Sequence, residues 1–359
     1  MLIGRKAGDN AQVLALAEAL GWPFEVKQMQ YRPYELATNL ILGDSLAGLV
    51  KRSSSPMVPP WPDLVISAGR RNEPVARWIK KSAGGIVRIV HFGRPWAALK
   101  HFDLLITTPQ YGLPKRPNVL HNTLPLHHIT PSKLAAAAQR WAPQFAYLPR
   151  PYIAVLVGGH SGHHTFSAGK ARCLARQASA LAREQEGSLL VTTSARTPGP
   201  VIDEMESAGD VPAYFFRWTP NVSENPYFGY LALADAFIVT GDSMSMLTEA
   251  CASNKPVYIF DIAVAGWNSS GRTSVGTQGR RQFRAKAWLS WIATKLAPRR
   301  MVRDVGVIHR QLIAAGRAVW LGQRFTNTLT IPALDDVVRA TARVRQLFDN
   351  SPGFVMEKD

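Results

Sequence analysis

Over roughly the first 260 residues, short apolar runs alternate with longer stretches whose apolar positions recur every three to four residues. That alternation is the signature of parallel sheets with helices on both faces. In the first half it predicts strands at Phe24–Met29, Leu64–Ser67, Ile86–His91 and Leu104–Thr107, after a stub at Met1–Gly4 and a loop over Arg5–Asn10. Helices are predicted between them at Gln12–Leu20, Tyr34–Val50, Glu73–Lys81 and Ser132–Trp141. Trp141–Pro151 carries three prolines and no periodicity, which reads as a linker. A second series then predicts strands at Tyr152–Val157, Leu189–Thr193, Tyr214–Phe216, Phe237–Thr240 and Val257–Phe260. Its helices fall at Gly169–Glu184, Pro200–Ser207, Pro226–Ala234 and Ser245–Ser253.

The expected fold is therefore α/β, with two doubly wound Rossmann-like domains facing a cleft at the carboxyl ends of their strands. Residues 1–148 form the first domain, 149–270 the second, and 271–359 a basic segment with C-terminal helices. Beyond Trp267 the alternation stops. A last helix, with Leu334, Val337, Val338, Ala342, Val344 and Leu347 on its apolar face, is expected to return to the first domain.

Composition narrows the class. Hydrophobic residues at 46% and charged residues at 19% exclude a disordered chain, although 42 Lys and Arg against 25 Asp and Glu leave a net charge of +17. Much of that excess is local: Gly271–Arg324 holds twelve Lys or Arg against the single acid Asp304. Within it, Phe283, Trp288, Trp291, Ile292 and Leu296 lie among basic residues, a mixture suited to an anionic membrane surface or an anionic acceptor. The other reading is a helix whose tryptophans pack on the domain while its arginines face water. No nucleic-acid-binding signature accompanies the charge, so that partner class is set aside. Cys173 and Cys251 have no Cys or His at metal-ligand spacing and read as small core residues, with no metal site expected. No run of about 18 apolar residues is present, and the N-terminus lacks signal-peptide order. The expected location is cytoplasmic, with peripheral association at the inner face of the cell membrane as a variant.

The candidate chemistry gathers at strand ends. Phe237–Phe260 reads strand, Gly241-Asp242-Ser243-Met244-Ser245 turn, helix, strand. Such a turn aims backbone N–H groups and hydroxyls at one point, where a diphosphate would be held. Glu249, about a turn further on, is within reach of a ribose diol. The alternative is an ordinary N-cap at Ser243 or Ser245 and a solvated Glu249. Gly158-Gly159 follow a strand directly and permit close approach of a phosphate, although many such turns only redirect the chain. His160, His163 and His164 match no closed metal site. Ser223 or Asn225 caps a helix whose first turn suits Pro226, and Arg217 ends a strand at the same sheet edge, where it offers a donor to a base or stands as a surface Arg. In the first domain Asp9 either accepts a proton from an attacking hydroxyl or caps a helix. Arg70 and Arg71 crowd a helix start, a cost that an anionic ligand would offset.

Gly4–Gln12, Pro62–Arg71, Leu190–Pro198, Glu224-Asn225-Pro226-Tyr227 and Gly241–Met246 together resemble the mitochondrial fission family named after the plant elongated-mitochondria protein. Its bacterial members look like GT-B-type nucleotide-sugar glycosyltransferases. The sequence departs from the family pattern at Gly162-His163-His164 and at His91-Phe92-Gly93-Arg94-Pro95, where the family more often has Asp-Pro-Arg. The resemblance implies a nucleotide-diphosphate sugar as donor substrate, no further cofactor, and an acceptor among envelope or membrane-associated glycans or lipids. Gly158, Gly159, Ser243 and Ser245 would then lie at the diphosphate, Glu249 at the ribose and Arg217 near the base. Transfer would be inverting and metal-independent, with Asp9 as base and His91 as second candidate. The competing function is a non-catalytic membrane-surface adaptor built on the same fold.

Overall fold

The computed structural model describes residues 1–33, 43–160, 166–220, 224–262, 304–326 and 334–349. The chain runs β1 (Leu2–Ile3), α1 (Ala7–Leu20), β2 (Lys27–Gln28), β3 (Leu64–Ala68), α2 (Gly69–Ser82), β4 (Arg88–Phe92), β5 (Leu104–Thr107) and β6 (Val119–His121). It continues α3 (Pro131–Phe145), β7 (Tyr152–Leu156), α4 (Ala168–Glu184), β8 (Ser188–Thr192), α5 (Gly199–Ala208) and β9 (Ala213–Phe216). Then follow α6 (Tyr227–Leu233), β10 (Ala236–Thr240), α7 (Met244–Ala252), β11 (Val257–Phe260), α8 (Val305–Ala314), β12 (Val319–Trp320) and α9 (Asp336–Asp349). These elements form two compact units. One holds Met1–His128 and the chain from Leu334; the other holds the described residues from Ile129 to Ile262 and from Val305 to Thr326.

In the first unit, β3, β4, β5 and β6 pair in that order, all parallel, and β1 pairs with β2. Strand parity sorts the core. Val65, Ile89 and Leu105 face Val75 and Ile79 of α2, whereas Ile66, Val90 and Leu104 face Val13 and Leu16 of α1 and Val344 of α9. Each such fully buried side chain contributes roughly 1.5–3 kcal/mol. The last helix returns to this unit as expected. Both carboxylate oxygens of buried Asp336 accept backbone N–H groups, from Thr123 at 2.9 Å and Leu124 at 3.0 Å, and Phe348 meets the edge of Trp22.

The second unit carries one parallel sheet in the order β12-β11-β10-β7-β8-β9. Counted from its own first strand, that is the 3-2-1-4-5-6 order of doubly wound nucleotide-binding sheets, whose order reverses between the first and fourth strands, here β7 and β10. β7 is Tyr-Ile-Ala-Val-Leu and every residue is buried, as a central parallel strand covered on both faces requires. Ile153, Val155, Val191 and Ile238 pack against Leu174 and Ala178 of α4 and Val201 of α5.

Several expected boundaries move. Helix α1 begins at Ala7, so Gly8, Asp9 and Asn10 are helical rather than loop. Asn10 secures the start by donating to Gly4 O at 2.7 Å and accepting from Gly4 N at 2.9 Å. The helix expected over Tyr34–Val50 does not extend through Gly43–Val50, where Leu49 bridges Tyr31; residues 34–42 lie outside the described set. The Pro-rich stretch after Trp141 is helical as far as Phe145 despite Pro143. α3 goes with the second unit, because Phe145 packs its ring on Tyr152, Tyr214 and Tyr230. The edge strands β6 and β12 were not foreseen. At three and two residues they have no apolar run long enough to register. β12 and α8 join the second unit, whereas the C-terminal helices as a group were expected on the first.

Candidate functional site

The loops that follow β7 and β10 meet where the strand order of the second unit reverses. Gly158 N–H donates to Thr240 Oγ1 at 2.7 Å, and Gly159 N–H donates to Asp242 Oδ2 at 3.0 Å. A Cβ on Gly158 would stand 2.4 Å from that carboxylate, and one on Gly159 would stand 1.9 Å from the Arg196 carbonyl oxygen. The two glycines are therefore required by the protein's own packing, and their N–H groups are bound internally rather than left for a phosphate. This corrects the expected role of Gly158 and Gly159 as direct phosphate contacts.

Asp242 is the hub of this junction and was passed over in the sequence, although it sits between Gly241 and Ser243. It is 2% exposed, and Arg196 Nη1 lies 2.7 Å from its Oδ2. Its Oδ1 has no hydrogen-bonding partner among the described residues. Arg196 also donates to His160 O at 3.1 Å, and Thr197 Oγ1 donates to Gly158 O at 2.5 Å. The Ser194–Thr197 segment thus pins the Gly-Gly loop from the β8 side. From α8, His309 Nε2 donates to Gly241 O at 2.8 Å. A Cβ on Gly241 would come within 2.9 Å of that imidazole, which explains the glycine.

Ser243 occupies the N-cap position of α7, but its hydroxyl makes no capping hydrogen bond. Ser245 lies inside the first turn and is partly exposed. The ordinary-cap reading fails for Ser243, so its hydroxyl and the first N–H groups of α7 remain available at the carboxyl end of β10. Glu249 is buried, not solvated. The Tyr227 hydroxyl donates to its Oε2. Burial pushes the Glu249 carboxyl up to about 7, and the Tyr227 bond opposes that rise. Tyr227 is set in place by Asn225, whose Oδ1 accepts the Tyr227 N–H at 2.9 Å, while Pro226 takes the N-cap position of α6 instead of its first turn; Ser223 lies outside the described residues.

Arg217 is removed from the site. Its guanidinium is exposed and gripped by α5, with Nε 2.7 Å from Glu206 Oε1 and Nη2 3.1 Å from Asp203 Oδ1. These partners hold it above its ordinary pKa and occupy the donors expected to reach a base. His163 and His164 lie outside the described residues, and among the described residues no group of three or more His, Cys, Asp or Glu is placed to hold a metal.

In the first unit, Asp9 is half-buried in the first turn of α1, where its charge favours the helix dipole. Gly69 has a φ of 74°, which favours glycine, and a Cβ there would also stand 2.7 Å from Asp9 Oδ2, so the carboxylate would have to shift. Asp9 lines a pocket with Gln12, Phe92, Thr108, Tyr111 and Asn122. His91 does not. It is fully buried, tilted against Phe102 with ring centroids 5.2 Å apart, and hydrogen-bonded through Nδ1 to Ser67 Oγ at 2.8 Å. Burial lowers its pKa to about 3. Strand parity explains the outcome: residue 91 shares the α2 face with Ile89, so its ring points into the core, and His91 is withdrawn as a base. Arg70, at the start of α2, stacks over Trp96 at 5.2 Å.

The profile of the family described as Mitochondrial fission ELM1 matches residues 7–303. The chain belongs to this family. It is 30% identical over 250 residues to the Mitochondrial fission protein ELM1 of Arabidopsis thaliana, covering 63% of this chain and 58% of the plant protein. The match thus spans little more than half of that relative. An uncharacterized protein of Rickettsia prowazekii is 23% identical over 288 residues, covering 71% of this chain and 80% of its own length. Among solved structures, the chain is similar to a UDP-glucosyltransferase from Polygonum tinctorium, at 11% identity, 98% coverage of each chain and a TM-score of 0.47. It is also similar to a UDP-GlcNAc 2-epimerase from Neisseria meningitidis, at 11% identity, 87% coverage of this chain, 97% of the other and a TM-score of 0.44.

Proposed function

We propose that this member of the family is a nucleotide-sugar-dependent glycosyltransferase whose donor is bound by the second unit. The observation that carries the reading is Glu249: a buried carboxylate behind an uncapped helix start, at the strand pair where a doubly wound sheet reverses its order. The α7 N–H groups and Ser243 suit a diphosphate, and Glu249 suits the two hydroxyls of a ribose. In the transfer, an acceptor hydroxyl oxygen attacks the anomeric carbon while the bond from that carbon to the diphosphate oxygen breaks. The bonding pair leaves with the diphosphate, stabilised by the helix N-terminus, and the hydroxyl proton passes to a base. Asp9 is the remaining candidate for that base.

The test is a thermal-shift screen of uridine, cytidine, guanosine and adenosine diphosphates and their sugars, since a ligand bound to the folded state raises its stability by mass action. One nucleotide class is expected to raise the Tm, and Glu249→Ala is expected to weaken that class about tenfold or more, the scale of losing charge-assisted hydrogen bonds. Undiminished binding by Glu249→Ala would remove the donor site. A second reading, a membrane-surface adaptor, draws on the twelve basic residues of Gly271–Arg324, of which residues 271–303 lie outside the described set.

A further inference from the structure

The second unit places a buried negative charge where an anion is proposed to bind. Asp242 immediately precedes Ser243, the N-cap of α7, and its carboxylate is fully buried. Such a charge repels a diphosphate unless a cation answers it. Arg196 is that cation: among the described residues it is the one ion-pair partner of Asp242, with Nη1 2.7 Å from Oδ2. The same nitrogen donates to His160 O at 3.1 Å and reaches Gly159 O at 3.5 Å. Nη1 alone therefore anchors the guanidinium. Its other edge, Nε and Nη2, has no partner among the described residues, and the side chain is 41% exposed.

The chemistry of that edge defines what it takes. The Nε and Nη2 hydrogens lie in one plane as a rigid fork, matched to two oxygens of a phosphate. Arg217 shows the contrast, because its Nε and Nη2 are both taken, by Glu206 and Asp203. We infer that Arg196 is a binding residue for the diphosphate, with Asp242 as the counter-ion that fixes its Nη1 and leaves the Nε–Nη2 edge to the phosphate oxygens. The loop after β8 thereby adds a full positive charge to the partial charge of the α7 N-terminus. As the bond to the anomeric carbon breaks, negative charge grows on the departing diphosphate, and the preset fork stabilises it without rearrangement. The inference deepens the proposed donor site and rests on that reading for its role, but the anion contact itself needs neither base nor ribose.

Isothermal titration of the full chain with inorganic pyrophosphate, and with the nucleoside diphosphate that gives the largest thermal shift, tests it. Both anions are expected to bind the wild type, and Arg196→Gln is expected to weaken each about tenfold or more, the scale of lost charge-assisted hydrogen bonds. Arg196→Lys keeps the charge without the fork and is expected to recover only part of that loss. Arg196→Gln also strips Asp242 of its counter-ion, so the deciding variant is Arg196→Gln with Asp242→Asn, which balances the charge and keeps an acceptor for the Gly159 N–H. A loss of about tenfold that persists in this double variant supports the inference. Wild-type affinity in the double variant would mean that Arg196 only neutralises Asp242, and would overturn it, as would a wild type that binds neither anion. If the double variant does not fold, Arg196→Lys decides, with wild-type affinity as the overturning result. The donor reading fails separately. Arg196-dependent pyrophosphate binding without any nucleotide binding would remove the donor site and leave the anion contact, whereas a nucleotide weakened by Glu249→Ala but not by the Arg196 variants would do the reverse.

Discussion

At the residue scale, the proposed donor site turns on Glu249. Its carboxyl, with a pKa pushed up to about 7, is neutral below that pH and charged above it. If Glu249 grips a ribose as proposed, the diol donates to the charged form, so nucleoside diphosphate affinity is expected to rise as pH increases through about 7, and Glu249→Gln is expected to flatten the profile in calorimetric titrations. Stability runs the opposite way. The folded pKa lies above the ordinary value of 4.5, so the contribution of protonated Glu249 is complete below about pH 4.5 and is lost as pH rises through about 7. Urea unfolding across that window should show the wild type losing stability relative to Glu249→Gln. The glycines give a second test at this scale. Gly159→Ala drives a methyl into the Arg196 carbonyl and is expected to cost several kcal/mol, about 3 or more, whereas Gly169→Ala in α4 meets nothing within 4 Å and should stay within about 0.5 kcal/mol. Equal unfolding midpoints for the two variants would contradict the packing described for the Gly-Gly loop.

At the scale of elements, α9 illustrates a helix held by polar anchors as much as by its apolar face. Arg339 donates to His121 O at 2.6 Å and Arg345 to Leu20 O at 3.1 Å, while Asp336 takes the Thr123 and Leu124 N–H groups. Asp336→Ala leaves the buried Leu124 N–H and the more exposed Thr123 N–H without their acceptor and is expected to cost about 1–3 kcal/mol, with Asp336→Asn recovering part of it; chemical denaturation measures both. The elements of the second unit were legible because β7, β8, β10 and β11 are apolar runs bounded by Gly, Pro or Asp, and their predicted ends fall within a residue of the observed ones. The first turn of α1 was not, because Gly8, Asp9 and Asn10 are poor helix formers whose placement depends on a contact between Asn10 and Gly4. Short edge strands escaped for a related reason: β12 exists because β11 offers Tyr258 and Ile259 as partners.

At the scale of the whole molecule, the net charge of +17 is a statement about surfaces, and no helix among the described residues is long and apolar enough to cross a membrane. The adaptor reading predicts co-sedimentation with vesicles containing anionic lipid at low salt, and release as ionic strength approaches about 0.5 M, where screening shortens the reach of surface charge to a few ångströms. Equal pelleting with neutral and anionic vesicles would discard it.

The amino-acid sequence by itself determined the α/β class, the family and the two successive sheets, because periodicity, strand-end glycines and motif spacing are local properties. It also marked Glu249 and Asp9. Only the tertiary structure decided which of the other marked residues are free to act. Strand parity turned His91 into the core, Glu206 and Asp203 claimed Arg217, and Asp242 took the Gly159 N–H that a phosphate was expected to meet. Each of those outcomes depends on partners 11 to 83 positions away in the chain, a distance over which no local pattern carries information.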